Sequence, residues 1–375
     1  MKIIINALSA RKGGIATYTR NLARSFKERG VDSIFAISNE FEIDEDVSVI
    51  RLSANRMSPI KRLLWEQIFW RRLIVKYNPD VLFSSANFGL FFSSVPQVLL
   101  VREGGLFDPL YLANIGPSAS INKLVQRVIR RRLILNSARF SKIIVTPSDT
   151  TKQLLVSANK DLERRIFVNR YGTLTNLFTQ PQKYHKFKKC GTLKLLYVSV
   201  YYPHKIPGIV SEAVEKLNAR GIKTHLTITM DLDQIEQTSG GEKDFILLKK
   251  GLERNQITLI GNVPYEKLPL VYSQHDLFTF SSISETFGHP LVEAMSMGLP
   301  IIASDTSIHR EICQDAAIYY SPFLISDLVQ KVEELYNDEV HWNILSKNGI
   351  KNSKKNFSWE KHVDRLISIF EKAIN

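Results

Sequence analysis

At 375 residues the chain is longer than the commonest single domain and comfortable for two. Its 44% hydrophobic and 23% charged residues give ample core material and exclude a disordered chain. Fifty basic against 37 acidic residues leave a formal charge of +13 and a pI of about 9.5, which favours an anionic partner without choosing among nucleotide phosphates, acidic lipid and nucleic acid.

The first half alternates short β-branched runs with helical patterns. KIIIN (2–6) reads as a buried strand, ALSARKGG as a polar loop with a Gly-Gly pair, and residues 15–30 as a helix stopped by Gly30. SIFAI, VLF, QVLLV and KIIVTPS read as further buried strands. Strands alternating with helices predict a parallel sheet covered on both faces. The uncharged run 81–101 has the length of a membrane span, but its four serines, Asn87, Gln97, Gly89 and Pro96 predict two strands with a loop between them. The start, MKIIINALSA, has too short an apolar stretch for a secretory leader.

Residues 178–192 break the rhythm and predict an interdomain linker. The alternation then restarts with LKLLYVSV, a helix ending at Gly221, KTHLTITM, QITLIG, LFTFSS, PLVEAMSMG and PIIAS. The expected organisation is α/β throughout: a Rossmann-like domain over 1–180, a second over 181–355, and an amphipathic helix over 356–375 packing back towards the first. Cys190 and Cys313 are far apart in sequence and read as two reduced thiols.

The stretch richest in chemistry is SETFGHPLVE (284–293). LFTFSS is a strand, so this segment is the loop at its carboxyl end, where doubly wound sheets bind ligands. Pro290 suits the first turn of a helix, which places amides and the positive end of a dipole at Gly288–Leu291. Glu285 and Glu293 flank that turn, and a carboxylate takes two adjacent sugar hydroxyls well. A surface glutamate and a helix-favouring glutamate would give the same pair.

SSISETFGHPLVEAMSMGLPIIASD (281–305) resembles the signature of the family-4 (group 1) retaining glycosyltransferases of the GT-B fold. YVSVYYPHKIPGIVSEAVEKL, NRYGT (169–173), EICQDAAIYYSP and ARKGGIATYTRNLAR are similar to further stretches of that family, in order. The resemblance implies two Rossmann-like domains facing a cleft, with a nucleoside-diphosphate sugar held mainly by the second. It implies Glu293 on the nucleotide ribose and Glu285 on the transferred sugar. Lys205 and the amides near Gly288 would meet the diphosphate, with Ser199, His289, Pro290 and Leu291 lining the donor site. Gly14 would allow close backbone approach in the first domain. It implies no covalent nucleophile, cofactor or metal, and a saccharide or lipid-linked acceptor in bacterial surface polysaccharide assembly.

Two departures stand out. The arginine that many members carry shortly before the Lys205 position is replaced by Ser199-Val200-Tyr201, so the diphosphate is held with one cation fewer, or with Arg102, Arg170 or His204 making up the charge. The His-Asp pair found after the strand matching QVLLV is here Arg102-Glu103, an acceptor-side candidate or a loop salt bridge.

Other signals are weaker. Asp231-x-Asp233 offers only two oxygen ligands to a divalent ion. The segment 123–142 has seven basic residues and no acidic one, and 55–77 has six basic residues. Both are consistent with an anionic membrane surface or with solvated helix faces. Gly13-Gly14 lacks the dinucleotide fingerprint. The expected location is cytoplasmic, with peripheral contact at the inner membrane face, and no nucleic-acid partner. The alternatives are a sugar-nucleotide epimerase of the same architecture and a non-enzymatic polyanion-binding protein.

Overall fold

The computed structural model describes the chain apart from residues 11–13, 45, 54–56, 58, 116–120, 174–176 and 179–190. It forms two compact units. The first comprises Met1–Phe107, Ser120–Arg170 and Glu360–Asn375, and the second Asp108–Ala119 and Tyr171–Trp359. The expected boundary at 180/181, most of the expected linker and Cys190 lie outside the described residues. The units part at Arg170/Tyr171 and again at Trp359/Glu360, and residues 108–119 go with the second.

The first unit carries β1 (Lys2–Asn6), β2 (Asp32–Ser38), β3 (Val49–Leu52), β4 (Val81–Ser84), β5 (Gln97–Leu100), β6 (Ile143–Thr146) and β7 (Ile166–Val168). All pair in parallel, in the order β3-β2-β1-β4-β5-β6-β7. The run 81–101 is indeed two strands, and no helix among the described residues is long and apolar enough to cross a membrane. Trp70, Leu73 and Ile74 of the helix Pro59–Tyr77 pack on Ile4, Ala36 and Leu82. Ile134 and Ala138 of the helix Ile121–Arg139 pack on Leu99 and Ile144. Register puts both helices on one sheet face, because Ile4 pairs with Leu82, Leu82 with Gln97, and Leu99, two residues on, with Ile144. The helix Trp359–Ile374 supplies the unit's last layer. Its Phe370 meets Phe26 and Phe83 edge-on, and the Asn169 amide donates to the His362 carbonyl at 3.1 Å.

The second unit carries β8 (Leu193–Tyr197), β9 (Thr224–Ile228), β10 (Ile257–Leu259), β11 (Leu277–Phe280), β12 (Ile301–Ser304) and β13 (Ala317–Tyr320). They too are all parallel, in the order β10-β9-β8-β11-β12-β13. From β8 the chain builds outward through β9 and β10, then returns to lay β11 on the other side of β8. This reversal leaves a crevice at the carboxyl ends of β8 and β11.

Within the second unit, the segments beside its two chain junctions run together. Thr173 bridges Ser358, and the Thr173 amide donates to the Phe357 carbonyl at 3.1 Å. Gly172 is there because nothing larger fits: a Cβ would stand 2.3 Å from the Ser358 carbonyl carbon and 2.4 Å from the Trp359 nitrogen. Gly172→Ala should therefore destabilise the protein by about 1–3 kcal/mol in urea titration. Gly14→Ala, whose Cβ would meet nothing within 4 Å, should leave the midpoint unchanged.

Candidate active site

The segment after β8 ends in a short 3-10 turn, Pro203–Lys205, and then Ile206 adopts φ 44°, a left-handed conformation that branched side chains resist. Three contacts from the strand ends hold it. The Tyr197 hydroxyl donates to the Lys205 carbonyl at 2.6 Å, and the Ser281 hydroxyl lies 2.8 Å from the carbonyls of both Lys205 and Ile206. The Ile283 amide donates to the His204 carbonyl at 3.0 Å. From behind, buried Asp244 accepts from the Gly208 amide and the Tyr201 hydroxyl, each at 2.9 Å. Desolvation raises the Asp244 pKa to about 6 despite these donors.

The result is that Lys205 is nearly buried, its ammonium paired with Glu285 and lying 5.2 Å from the centre of the Phe280 ring. Burial pushes the Glu285 carboxyl up, but Lys205 and the hydrogen bonds outweigh it and the net shift is downward. His204 behaves oppositely. Burial, with Lys205 beside it, lowers its pKa to about 4, so it is neutral at physiological pH and does not replace the absent arginine. Its ring stacks on exposed Tyr202 and meets Tyr111 edge-on.

On the other side of the crevice, Gly288 has φ 90° and caps the helix His289–Ser296, with Pro290 in its first turn. Of the positions the sequence nominates here, Pro290 has no N–H and the Leu291 amide donates to the Gly288 carbonyl at 3.0 Å, so neither offers an amide to a ligand. His289 stacks on Tyr171 at 5.1 Å, and Phe287 packs edge-on against both. Glu293 is almost wholly buried and accepts from the Tyr272 hydroxyl at 2.8 Å. Burial raises its pKa to about 7, the Tyr272 bond offsetting only part. Ser199 follows β8 and its amide donates to the Thr229 hydroxyl at 3.0 Å.

The structure brings Lys205 and Glu285 into contact, while Ser199 follows β8 and Gly288 and Glu293 lie on the turn and helix that follow β11. Gly14, Arg102, Glu103 and Arg170 belong to the first unit. Gly14 opens the helix Gly14–Glu28, and Arg11–Gly13 lie outside the described residues. Glu103 is held by Arg130 at 2.6 Å and by the Asn87 amide at 3.1 Å; Arg102 lies over the Tyr18 ring, and Arg170 pairs with Asp149. Sequence reasoning missed Tyr197, Ser281 and Tyr272. The first two sit at the strand ends that flank the crevice, a signal that could have nominated them; Tyr272 lies 21 residues before Glu293 and gives no local sign.

Residues 182–356 match the family described as glycosyl transferases group 1. The Escherichia coli O-antigen chain mannosyltransferase B is 29% identical over 134 residues, 35% of this chain and 35% of that protein. The Salmonella typhimurium O-antigen chain mannosyltransferase RfbU is 23% identical over 277 residues, 72% of this chain and 70% of that protein. The match to the first of these spans only about a third of its length. Among solved structures, Anabaena Alr3699/HepE in complex with UDP-glucose superposes with a TM-score of 0.74 at 15% identity, covering 99% of this chain and all of that one. That likeness shows the fold, two parallel-sheet α/β units of the GT-B kind.

The raised Glu293 pKa has a signed consequence. A glutamate that ionises near 4.5 when unfolded and near 7 when folded keeps its proton longer in the native state. Stability is therefore greatest below about pH 4.5 and drains as pH rises through 7, by on the order of 3 kcal/mol. Glu293→Gln removes that dependence. In urea titrations the variant should gain on wild type between pH 5 and pH 8, and Asp244, common to both, cancels from the difference.

Proposed function

We propose that the protein is a retaining, metal-independent glycosyltransferase. In this reading it moves a hexosyl group from a nucleoside-diphosphate sugar to a saccharide or lipid-linked acceptor in bacterial surface polysaccharide assembly. The observation that carries the reading is the Lys205–Glu285 pair at the carboxyl ends of β8 and β11, with Glu293 buried in the helix His289–Ser296 that follows. The UDP-glucose complex among the similar proteins supports a nucleoside-diphosphate sugar as donor, and the two O-antigen mannosyltransferases support mannose as its sugar.

Transfer from a nucleoside diphosphate develops oxocarbenium character on the sugar and negative charge on the departing phosphate. Groups fixed in advance against that phosphate favour the transition state over the ground state. Lys205 is such a group. Its ammonium has three N–H donors, so it keeps Glu285 and still offers donors to phosphate oxygens, without an arginine. The Gly288 turn and the helix behind it present positive potential to the same phosphates. Glu285 has two tasks, to orient Lys205 and to accept from hydroxyls of the transferred sugar. Glu293 takes the vicinal hydroxyls of the ribose. Its ionised form accepts two hydrogen bonds where the acid accepts less well, so donor affinity should strengthen as pH rises through about 7.

Nucleoside diphosphates and their sugars should raise the unfolding temperature, since a ligand at a hundredfold excess over Kd adds about 2.7 kcal/mol. Lys205→Ala should slow transfer by a factor of roughly a hundred or more while the ligand still binds, as expected for loss of one preorganised charge. Glu293→Ala should weaken nucleotide binding itself. Chelation of divalent ions should leave turnover intact. Wild-type turnover in both variants would refute the site; loss of turnover on chelation would refute the metal-independent reading.

A further inference from the structure

The first unit presents an apolar surface that its own core does not need. On the helix Ile121–Arg139 the residues Ile121, Leu124, Val125, Val128 and Ile129 follow the spacing of a single helical face. All five are exposed, Ile121 by 78%. This half of the helix makes no use of its apolar stripe; the core takes Ile134 and Ala138, further along. Beside it on the same sheet face, the helix Pro59–Tyr77 exposes Leu64, Ile68 and Val75, the last by 82%.

The two helices are joined at the surface. Arg71 donates to the carbonyls of Phe91 and Phe92, at 2.7 and 3.1 Å, and Phe92, itself 71% exposed, packs on Phe140 just past the end of the other helix. Phe92 and Phe140 thus add apolar surface at the end of the helix pair, and each helix carries its own exposed apolar residues at helical spacing.

Charge identifies the occupant. Lys123, Arg132 and Arg139 are exposed on one helix, and Lys61, Arg72 and Lys76 on the other. The first helix has no acidic residue, and the single one on the second, Glu66, is taken by Arg62 at 2.7 Å. A second copy of this face would bring cation against cation. An anionic bilayer offers hydrocarbon for the stripe and phosphate for its flanks. We propose that the helices Pro59–Tyr77 and Ile121–Arg139, with Phe92 between them, form a docking surface for an anionic lipid bilayer, the apolar stripe entering the headgroup boundary and the flanking cations meeting lipid phosphates. This surface stands independently of the transfer reaction, and its test requires no activity.

The test is sedimentation of the full chain with vesicles of phosphatidylcholine, with and without phosphatidylglycerol. Wild type should bind the anionic vesicles at low salt, bind phosphatidylcholine alone poorly, and be partly released by high salt. Val125→Glu with Val128→Glu, and separately Leu64→Glu with Ile68→Glu, should each lower binding at least about tenfold. Ile246→Glu, an exposed apolar position in the second unit, should not change it. Thermal unfolding confirms that each variant is folded; should one fail, Lys123→Gln with Arg132→Gln is read in its place and should weaken binding to the anionic vesicles. Three results would overturn the proposal: no binding by wild type, equal binding by the folded glutamate variants, or a dimer in analytical ultracentrifugation that Val125→Glu with Val128→Glu dissolves.

Discussion

A pair of backbone carbonyls governs the candidate site. Those of Lys205 and Ile206 point back between β8 and β11, where the hydroxyls of Tyr197 and Ser281 receive them. Both groups are buried, and a carbonyl left without a donor there would cost about 1–3 kcal/mol. The bonds therefore hold the chain in the left-handed turn at Ile206, which a branched residue would not adopt unaided. Only with that turn in place does Lys205 fold over Phe280 and reach Glu285. The chemistry belongs to side chains, but their geometry is fixed by main-chain atoms.

Around this point the site sorts its acids by environment. Glu285 and Glu293 are both removed from water and eight residues apart, yet their pKa values move in opposite directions. The difference is the partner. Glu285 faces a cation, whereas Glu293 faces a phenol that cannot offset the loss of solvent. One carboxylate is held towards its ionised form by its cation. The other is balanced near neutrality, and a ligand's hydroxyls would tip it. Sequence spacing alone could not have separated them.

The sequence displayed the central strands clearly, because strands buried on both faces read as unbroken apolar runs: KIIIN, VLF, LKLLY, LFTF. It did not display β3, β7 or β13. Each lies at a sheet edge, is three or four residues long and half-exposed, so its composition resembles a loop. The same divide runs through the site. Glu285, Gly288 and Glu293 share one short segment with a strand before it and a helix after it, and were legible as a unit. Tyr272 and Asp244 reach the site from helices distant in sequence, and only folding reveals their bonds. Likewise, the dipeptide Arg102-Glu103 gives no sign that Arg130, 27 residues on, holds the glutamate.

The last layer of the first unit is made late. The helix carrying Phe370 covers Phe26 and Phe83, yet the 189 residues Tyr171–Trp359 lie between it and the rest of its own unit. At a synthesis rate of about 5–20 residues per second, that interval lasts roughly 10–40 s. Through it, Phe26 of the helix Gly14–Glu28 and Phe83 of β4 lack the ring of Phe370, while the whole second unit emerges and is free to fold. The half of the protein begun first is finished second, so the nascent chain must spend that time with a hydrophobic seam open to chaperones or to misassociation.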